Sequence, residues 1–295
     1  MLGRLDPALI HRAPVPADAR LRLRYLGTAG FVLQAQQHTI VVDPYVTRTG
    51  LLQTAFGRLV PDEARIRRLL PQADDVLVGH AHYDHVLDAP LLCQIHGARL
   101  IGSPAVAMCG RAAGLPEAQI RVTLGREDLP SGPGLVRGLP SRHGRVYFNR
   151  VSLPGDILAP PAWPPRFTAL RHGLVLNWYV ELGGLRVVHV DSADFIDQEL
   201  ADLDRAHGLR ETGVDLLCLC AIGRAWRPRY VQDIVALLKP RLVVPCHWDL
   251  FSTPFEQEPW LLPGVDLPGM LDELRAAGTE ALILPIGGEL GLPAR

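Results

Sequence analysis

Lysine is all but missing from this chain of 295 residues: Lys239 is the only one, so nearly all positive charge is arginine. GC-rich codon usage accounts for that bias without any appeal to function. A basic excess is missing too, because 30 Lys and Arg face 31 Asp and Glu for a net charge of -1. A protein that binds nucleic acid through clustered positive charge is therefore disfavoured. The five cysteines (Cys93, Cys109, Cys218, Cys220 and Cys246) are odd in number, form no Cys-x-x-Cys pair and lie in apolar runs such as Asp215–Ala221. That pattern excludes a disulfide framework and predicts buried, reduced thiols. The N-terminus mixes Pro, Arg, Asp and His without an apolar h-region, and no apolar run approaches a membrane span. The expectation is a cytoplasmic protein with no signal peptide and no transmembrane segment.

What is present is an ordinary globular composition, 48% hydrophobic and 21% charged, on a chain long enough to bury a substantial core. Residues 1–19 contain Pro7, Pro14 and Pro16 and read as an irregular arm. β-like runs follow at Leu21–Leu26, Phe31–Ala35 and Thr39–Val42, then Val76–Val78, Arg99–Ile101 and Val136–Leu139. Further runs stand at Leu174–Leu182, Arg186–Val190, Asp215–Cys220, Arg241–Val244 and Ala281–Leu284. Helices are expected over Pro61–Leu70 and Ala89–His96, from Ser103 to Gly114, over Pro228–Leu238 and near Met270–Ala277. Between 144 and 172, Pro154, Pro160, Pro161, Pro164 and Pro165 oppose regular structure, and a loop of that length suits an active-site lid. With no linker or repeat, residues 1–295 read as one domain, and early strands followed by strand–helix alternation suit two sheets with helices outside them.

The chemistry is concentrated in Gly79-His80-Ala81-His82-Tyr83-Asp84-His85, directly after a buried strand. Histidines two apart in an extended turn can aim at one cation, and the Asp and His that follow can aim at a second. Isolated histidines are commoner as satisfied polar groups, and His11, His38, His96, His189 and His207 have no partner spacing. In the proline-rich loop, Tyr147, Phe148, Trp163 and Phe167 are candidates for a pocket wall.

The histidine motif resembles that of the metallo-β-lactamase superfamily, whose fold is a four-layer αββα sandwich of the α/β class. Tyr25-Leu26-Gly27-Thr28-Ala29-Gly30-Phe31 and Ile40-Val41-Val42-Asp43-Pro44-Tyr45 are similar to the opening strands of one branch. That branch contains ascorbate-6-phosphate lactonases and N-acyl-phosphatidylethanolamine phospholipase D. Gly138-Leu139-Pro140-Ser141-Arg142-His143 resembles the segment of the third histidine ligand. Val188-His189-Val190-Asp191-Ser192 sits where a Gly-Asp-Thr/Ser turn supplies a bridging carboxylate, and Val244-Pro245-Cys246-His247-Trp248 resembles the last ligand segment. The resemblance implies one metal on His80, His82 and His143, a second on Asp84, His85 and His247, and Asp191 between them. Asp194 rivals Asp191, because Val190 replaces the glycine expected before the bridge. His172, in a second Arg-His-Gly triplet, rivals His143. Asp249 departs from the small residue expected after Trp248, and Asp43 is expected to anchor the histidine turn from behind.

The function implied is a dinuclear hydrolase with two divalent ions, zinc first and manganese or iron as alternatives. His80, His82 and Asp84 carry the catalytic role, and a metal-bridging hydroxide attacks a phosphodiester, lactone or related ester. The partner is a small-molecule or lipid-like ester, and a homo-oligomer is allowed. The rival reading is a mononuclear, persulfide-dioxygenase-like iron oxygenase on the same fold.

Overall fold

The computed structural model describes residues 3–294. Two seven-stranded sheets form its centre. The first contains β1 (Leu21–Gly27), β2 (Gly30–Ala35), β3 (His38–Val42), β4 (Asp75–Val78), β5 (Arg99–Gly102) and β6 (Ile120–Val122). The second contains β7 (Asp128–Ser131), β8 (Gly134–Ser141), β9 (Val175–Leu182), β10 (Leu185–Val190), β11 (Leu216–Cys220), β12 (Leu242–Cys246) and β13 (Glu280–Ala281). The last strand, β14 (Glu289–Leu292), returns to the first sheet beside β1. Each sheet is antiparallel on one side and parallel on the other: β3, β4, β5 and β6 run parallel, as do β10, β11, β12 and β13.

Nine helices among the described residues lie outside the sheets or in the connections. They are α1 (Leu51–Phe56), α2 (Glu63–Leu69), α3 (Tyr83–Val86), α4 (Ala89–His96), α5 (Pro104–Ala112), α6 (Asp197–His207), α7 (Leu209–Thr212), α8 (Tyr230–Leu238) and α9 (Leu267–Ala276). The layering follows from side-chain alternation along buried strands. Leu77 of β4 belongs to the cluster between the sheets, whereas Val76 and Val78 pack outward with Ile66 of α2, Leu92 of α4 and Val106 of α5. On the other side, Leu200 of α6, Val231 and Ile234 of α8 and Met270 of α9 cover the second sheet. The result is the αββα sandwich.

Several local expectations need adjustment. The strand expected over Ala281–Leu284 stops at Ala281, and Ile283 instead makes a single bridge to Ile10 of the N-terminal arm. That arm holds one 3-10 turn, Pro7–Leu9, and a second bridge, Arg4 to Trp260. Helix α6 had no expectation, because acidic residues and Phe195 precede it in place of a clear apolar stripe. The five cysteines are buried and unpaired. No helix among the described residues is long and apolar enough to cross a membrane.

Candidate metal centre

The chemistry-bearing side chains gather at the carboxyl ends of four strands, where backbone turns away from the sheets and frees side chains to converge. After β4, Gly79 donates its N–H to Asp43 Oδ1 at 2.7 Å, its carbonyl accepts from Leu176 at 2.8 Å, and the Ala81 N–H donates to the His172 carbonyl at 3.0 Å. These bonds hold residues 79–81 extended, so that His80 and His82 point to one region. The single helical turn α3 then swings Asp84 and His85 to its other side. His143 follows β8, Asp191 follows β10 and His247 follows β12. Position 79 needs glycine for space: a Cβ there would stand 2.1 Å from Asp191 Oδ2.

Three groups of ligand-type atoms result, each within 4.8 Å: His80, His82 and His143; Asp84, His85 and His247; and His80, His85 and Asp191. Asp191 thus meets one histidine from each of the other two groups. His80 Nε2 and His82 Nδ1 lie 3.0 Å apart, His247 Nε2 lies 3.3 Å from Asp84 Oδ2, and His80 Nδ1 lies 2.6 Å from Asp191 Oδ2. The two rivals stand elsewhere. Asp194 accepts the Phe195 N–H at 2.8 Å and lies 3.5 Å from Arg227 Nε. His172 joins none of the three groups, although its ring stacks on His143 at 5.5 Å.

The electrostatics favour cation ligation. Burial, reinforced by neighbouring imidazoles, pushes His80 well below its ordinary range and His143 down to about 3. Burial likewise lowers His82, to about 4, against the pull of Asp84. These imidazoles are neutral at pH 7, the form that donates a lone pair. His85 is opposite: burial would lower it, but Asp84, Asp43 and Asp191 together raise it to about 9. Burial and the Asp43 charge push Asp191 well up. His82 Nε2 and Asp191 Oδ1 are buried without a hydrogen-bond partner, an arrangement costly to a fold unless another group satisfies them. Metal ions held by the ligand groups would supply those partners, so the donor set fits divalent metal ions with N/O preference.

Behind the cluster, Asp43 Oδ2 lies 3.1 Å from His85 Nδ1, which orients the ring and leaves Nε2 for another partner. Asp249 does not reach the cluster. It accepts from Tyr25 Oη at 2.6 Å, from the Thr28 N–H at 2.7 Å and from Arg48 Nη1 at 2.6 Å, with both charged side chains fully buried. The His247 N–H in turn donates to the Thr28 carbonyl at 2.5 Å. Thr28, Asp43 and His247 all take positive φ (52°, 45° and 55°), a strain held by these contacts. Arg48 carried no signal in the sequence, since it and Asp249 are 201 positions apart, and the segment around Thr28 gave no sign of its role as a support.

A chamber of about 320 Å³ opens on the cluster, with Tyr83, Tyr147, Leu153, Phe167 and Phe251 in its wall. Tyr147 and Phe167 therefore meet the expectation of a pocket wall. Phe148 and Trp163 do not: Phe148 is 90% exposed, and Trp163 packs against the outer apolar cluster. Four of the five isolated histidines have local partners: His38 has Asp75 and Ser131, His96 the Leu70 carbonyl, His189 the Ala29 carbonyl, and His207 lies within 3.3 Å of Asp128 and Glu181.

Paired His/Asp groups at the strand ends of an αββα sandwich define a protein of the metallo-β-lactamase fold. Residues 22–247 match the model of the Beta-lactamase superfamily domain, and the chain belongs to that family. It is 26% identical over 270 residues to a UPF0173 metal-dependent hydrolase of Anaeromyxobacter dehalogenans, covering 90% of this chain and 83% of the relative. A UPF0173 metal-dependent hydrolase of Thermus thermophilus is 27% identical, with 81% and 88% covered. Among solved structures, a metallo hydrolase from Ignicoccus hospitalis superposes with a TM-score of 0.60 at 15% identity, covering 93% of this chain and 99% of the other. A diiron β-hydroxylase from Streptomyces venezuelae gives 0.59 at 18% identity, covering 95% and 55%. At these identities the structural likenesses carry the fold alone.

Proposed function

We propose that this protein is a dinuclear metal-dependent hydrolase of phosphodiesters, lactones or related esters. The observation that carries the reading is the convergence of two ligand triads with Asp191 between them. His80, His82 and His143 would hold one ion, Asp84, His85 and His247 the other, and Asp191 would touch both. Zinc is the first expectation for so imidazole-rich a set. When bound, such a pair of ions acidifies a water toward neutrality and polarises the scissile carbonyl or phosphoryl oxygen. The chain's own residues do the rest. Asp43, 3.1 Å from His85 Nδ1, orients that ring, and the Asp249–Arg48 pair braces the Thr28 backbone that holds His247. Tyr147, Leu153 and Phe167 belong to the proline-rich loop, which acts as a lid that excludes water and selects the substrate's apolar part. The ester preference rests on the resemblance of residues 25–31, 40–45 and 138–143 in sequence to the lactonase and phospholipase D branch.

Metal analysis and one assay panel test the reading together. Fully metallated protein should carry close to two transition-metal ions per chain and hydrolyse at least one of bis-aryl phosphodiesters, lactones, thioesters and aryl sulfates. Trace metal, or no turnover across the panel, would overturn it. Oxygen uptake with iron-loaded protein would favour the oxygenase alternative instead.

A further inference from the structure

A second cavity, of about 540 Å³, adjoins the metal chamber. His143 lines both, and the loop alternates between them: Arg145 and Val151 face the second cavity, Val146 and Leu153 the first. The second cavity contains three arginines, Arg142, Arg145 and Arg227, against a single acid, Asp194. Arg227 is already compensated: its guanidinium lies 3.6 Å over the Phe195 ring, 3.2 Å from Asp197 and 3.5 Å from Asp194. Arg142 and Arg145 are exposed, and neither forms an ion pair among the described residues. Arg145 donates only to the Asn149 carbonyl at 3.2 Å. Two uncompensated guanidinium forks therefore face a concave space next to an apolar, metal-facing chamber, and the guanidinium fork matches the geometry of carboxylate and phosphate.

Resting on the hydrolase reading above, we infer that the substrate is an amphipathic ester whose apolar group occupies the metal chamber and whose oxyanion, a carboxylate or phosphate, is held by Arg142 and Arg145. Unpaired surface arginines are common. What separates these two is their place in a cavity that shares a wall residue with the reaction chamber. The arginines act on binding and not on the bond being broken, so their removal acts on KM and leaves kcat in place.

Calorimetry on metal-loaded protein tests the site without requiring turnover. The probes are 4-phenylbutyrate and 3-phenylpropyl phosphate, with neutral 4-phenylbutyramide as the reference, on wild type and on the Arg142→Gln/Arg145→Gln and Arg142→Lys/Arg145→Lys variants. Two partly solvated ion pairs give the anions about a tenfold tighter Kd than the amide. The Gln pair abolishes that preference and the Lys pair keeps part of it, and the anion with the larger loss identifies the natural group. A preference that survives in the Gln pair would assign the oxyanion to the metals and overturn the proposal, as would no preference in the wild type. Two chromogenic esters supply a parallel test. On the anionic nitrophenyl monoester of glutaric acid, the Gln pair should raise KM about tenfold and leave kcat unchanged. On the uncharged nitrophenyl ester of butyric acid, both constants should stay as in the wild type. Equal changes on both esters would overturn the site. If neither ester turns over while the calorimetric preference holds, the anion site stands, and the hydrolase reading is decided by the wider panel of phosphodiesters, lactones, thioesters and aryl sulfates.

Discussion

His80 Nδ1 lies 2.6 Å from Asp191 Oδ2 across 111 positions of chain, joining the end of a strand in one sheet to the end of a strand in the other. Gly79 leaves room for this contact, and Asp194 is turned away toward Arg227. Asp191→Ala should therefore lower metal affinity by at least about tenfold, the least that removing even a carboxylate behind a metal histidine costs. Asp194→Ala should leave affinity nearly unchanged. Elemental analysis after dialysis against a weak chelator reads the difference, and equal losses in the two variants would reject Asp191 as the shared carboxylate.

The buried pair Arg48–Asp249 makes a separate claim on stability. Burial alone would push the Asp249 carboxyl up, but the Arg48 charge and the bonds from Tyr25 and Thr28 hold it below its ordinary range. Arg48→Met leaves that carboxylate desolvated and unpaired, at a cost of about 3–5 kcal/mol. For a chain of this size that lowers Tm by roughly 10 °C. Replacing both partners, as Arg48→Met with Asp249→Asn, should recover part of the loss, since the neutral amide oxygen still accepts from Tyr25 and Thr28 and needs no compensating charge. Thermal melts of the two variants check this, and a double variant no more stable than the single would contradict it.

Asp88 supplies a pH dependence away from the cluster. Burial raises its carboxyl to about 6, against bonds from Thr47 and the Val46 N–H that favour the ionised form. The folded protein then keeps a proton that the unfolded chain releases near the ordinary 3.8. The contribution is full below that value and is lost as pH rises through 6. Between pH 5 and 8 the loss amounts to about 1–2 kcal/mol. Asp88→Asn imitates the protonated acid, with its amide donating to Thr47 Oγ1, and lacks this slope. Urea denaturation at both pH values should show the variant gaining on the wild type as pH rises. Identical slopes would mean that Asp88 is ionised across the range.

The legible parts of this protein are those in which sequence neighbours carry the signal. The strands β1 to β5 stood out as short apolar runs set off by glycine or polar residues, and the ends of β3, β4, β8, β10 and β12 because those runs give way within two residues to histidine or aspartate. The supports behind the cluster did not, because each joins distant segments. Arg48 meets Asp249 only once both sheets are formed, and nothing near Thr28 announces that its carbonyl holds His247. The aromatic loop shows the limit most plainly. Composition nominated four rings for the chamber wall, but which of them faces inward depends on the path of irregular backbone. That path turns Phe148 to solvent and Tyr147 to the chamber.

Two Arg-His-Gly triplets, at 142–144 and 171–173, offered equal local chemistry. Both rings adopt the same local bond: His143 Nδ1 donates to the Gly144 carbonyl at 2.7 Å, and His172 Nδ1 to the Gly173 carbonyl at 2.5 Å. Each ring is thus held through Nδ1 in the same way, so the local bond does not separate them. Position does. The His143 ring lies 4.8 Å from both His80 and His82, whereas His172 comes only within 5.9 Å of His82 and stacks behind His143. Its backbone carbonyl, not its ring, meets the histidine turn, through the Ala81 N–H. His143→Ala should therefore lose one metal equivalent, with affinity falling by at least about tenfold. His172→Ala should keep both equivalents, because the carbonyl bond survives truncation of the side chain. Competitive titration with a chromogenic chelator measures both variants in one format. Retained affinity in His143→Ala with a steep loss in His172→Ala would move the third ligand from the end of β8 to the far end of the proline-rich loop.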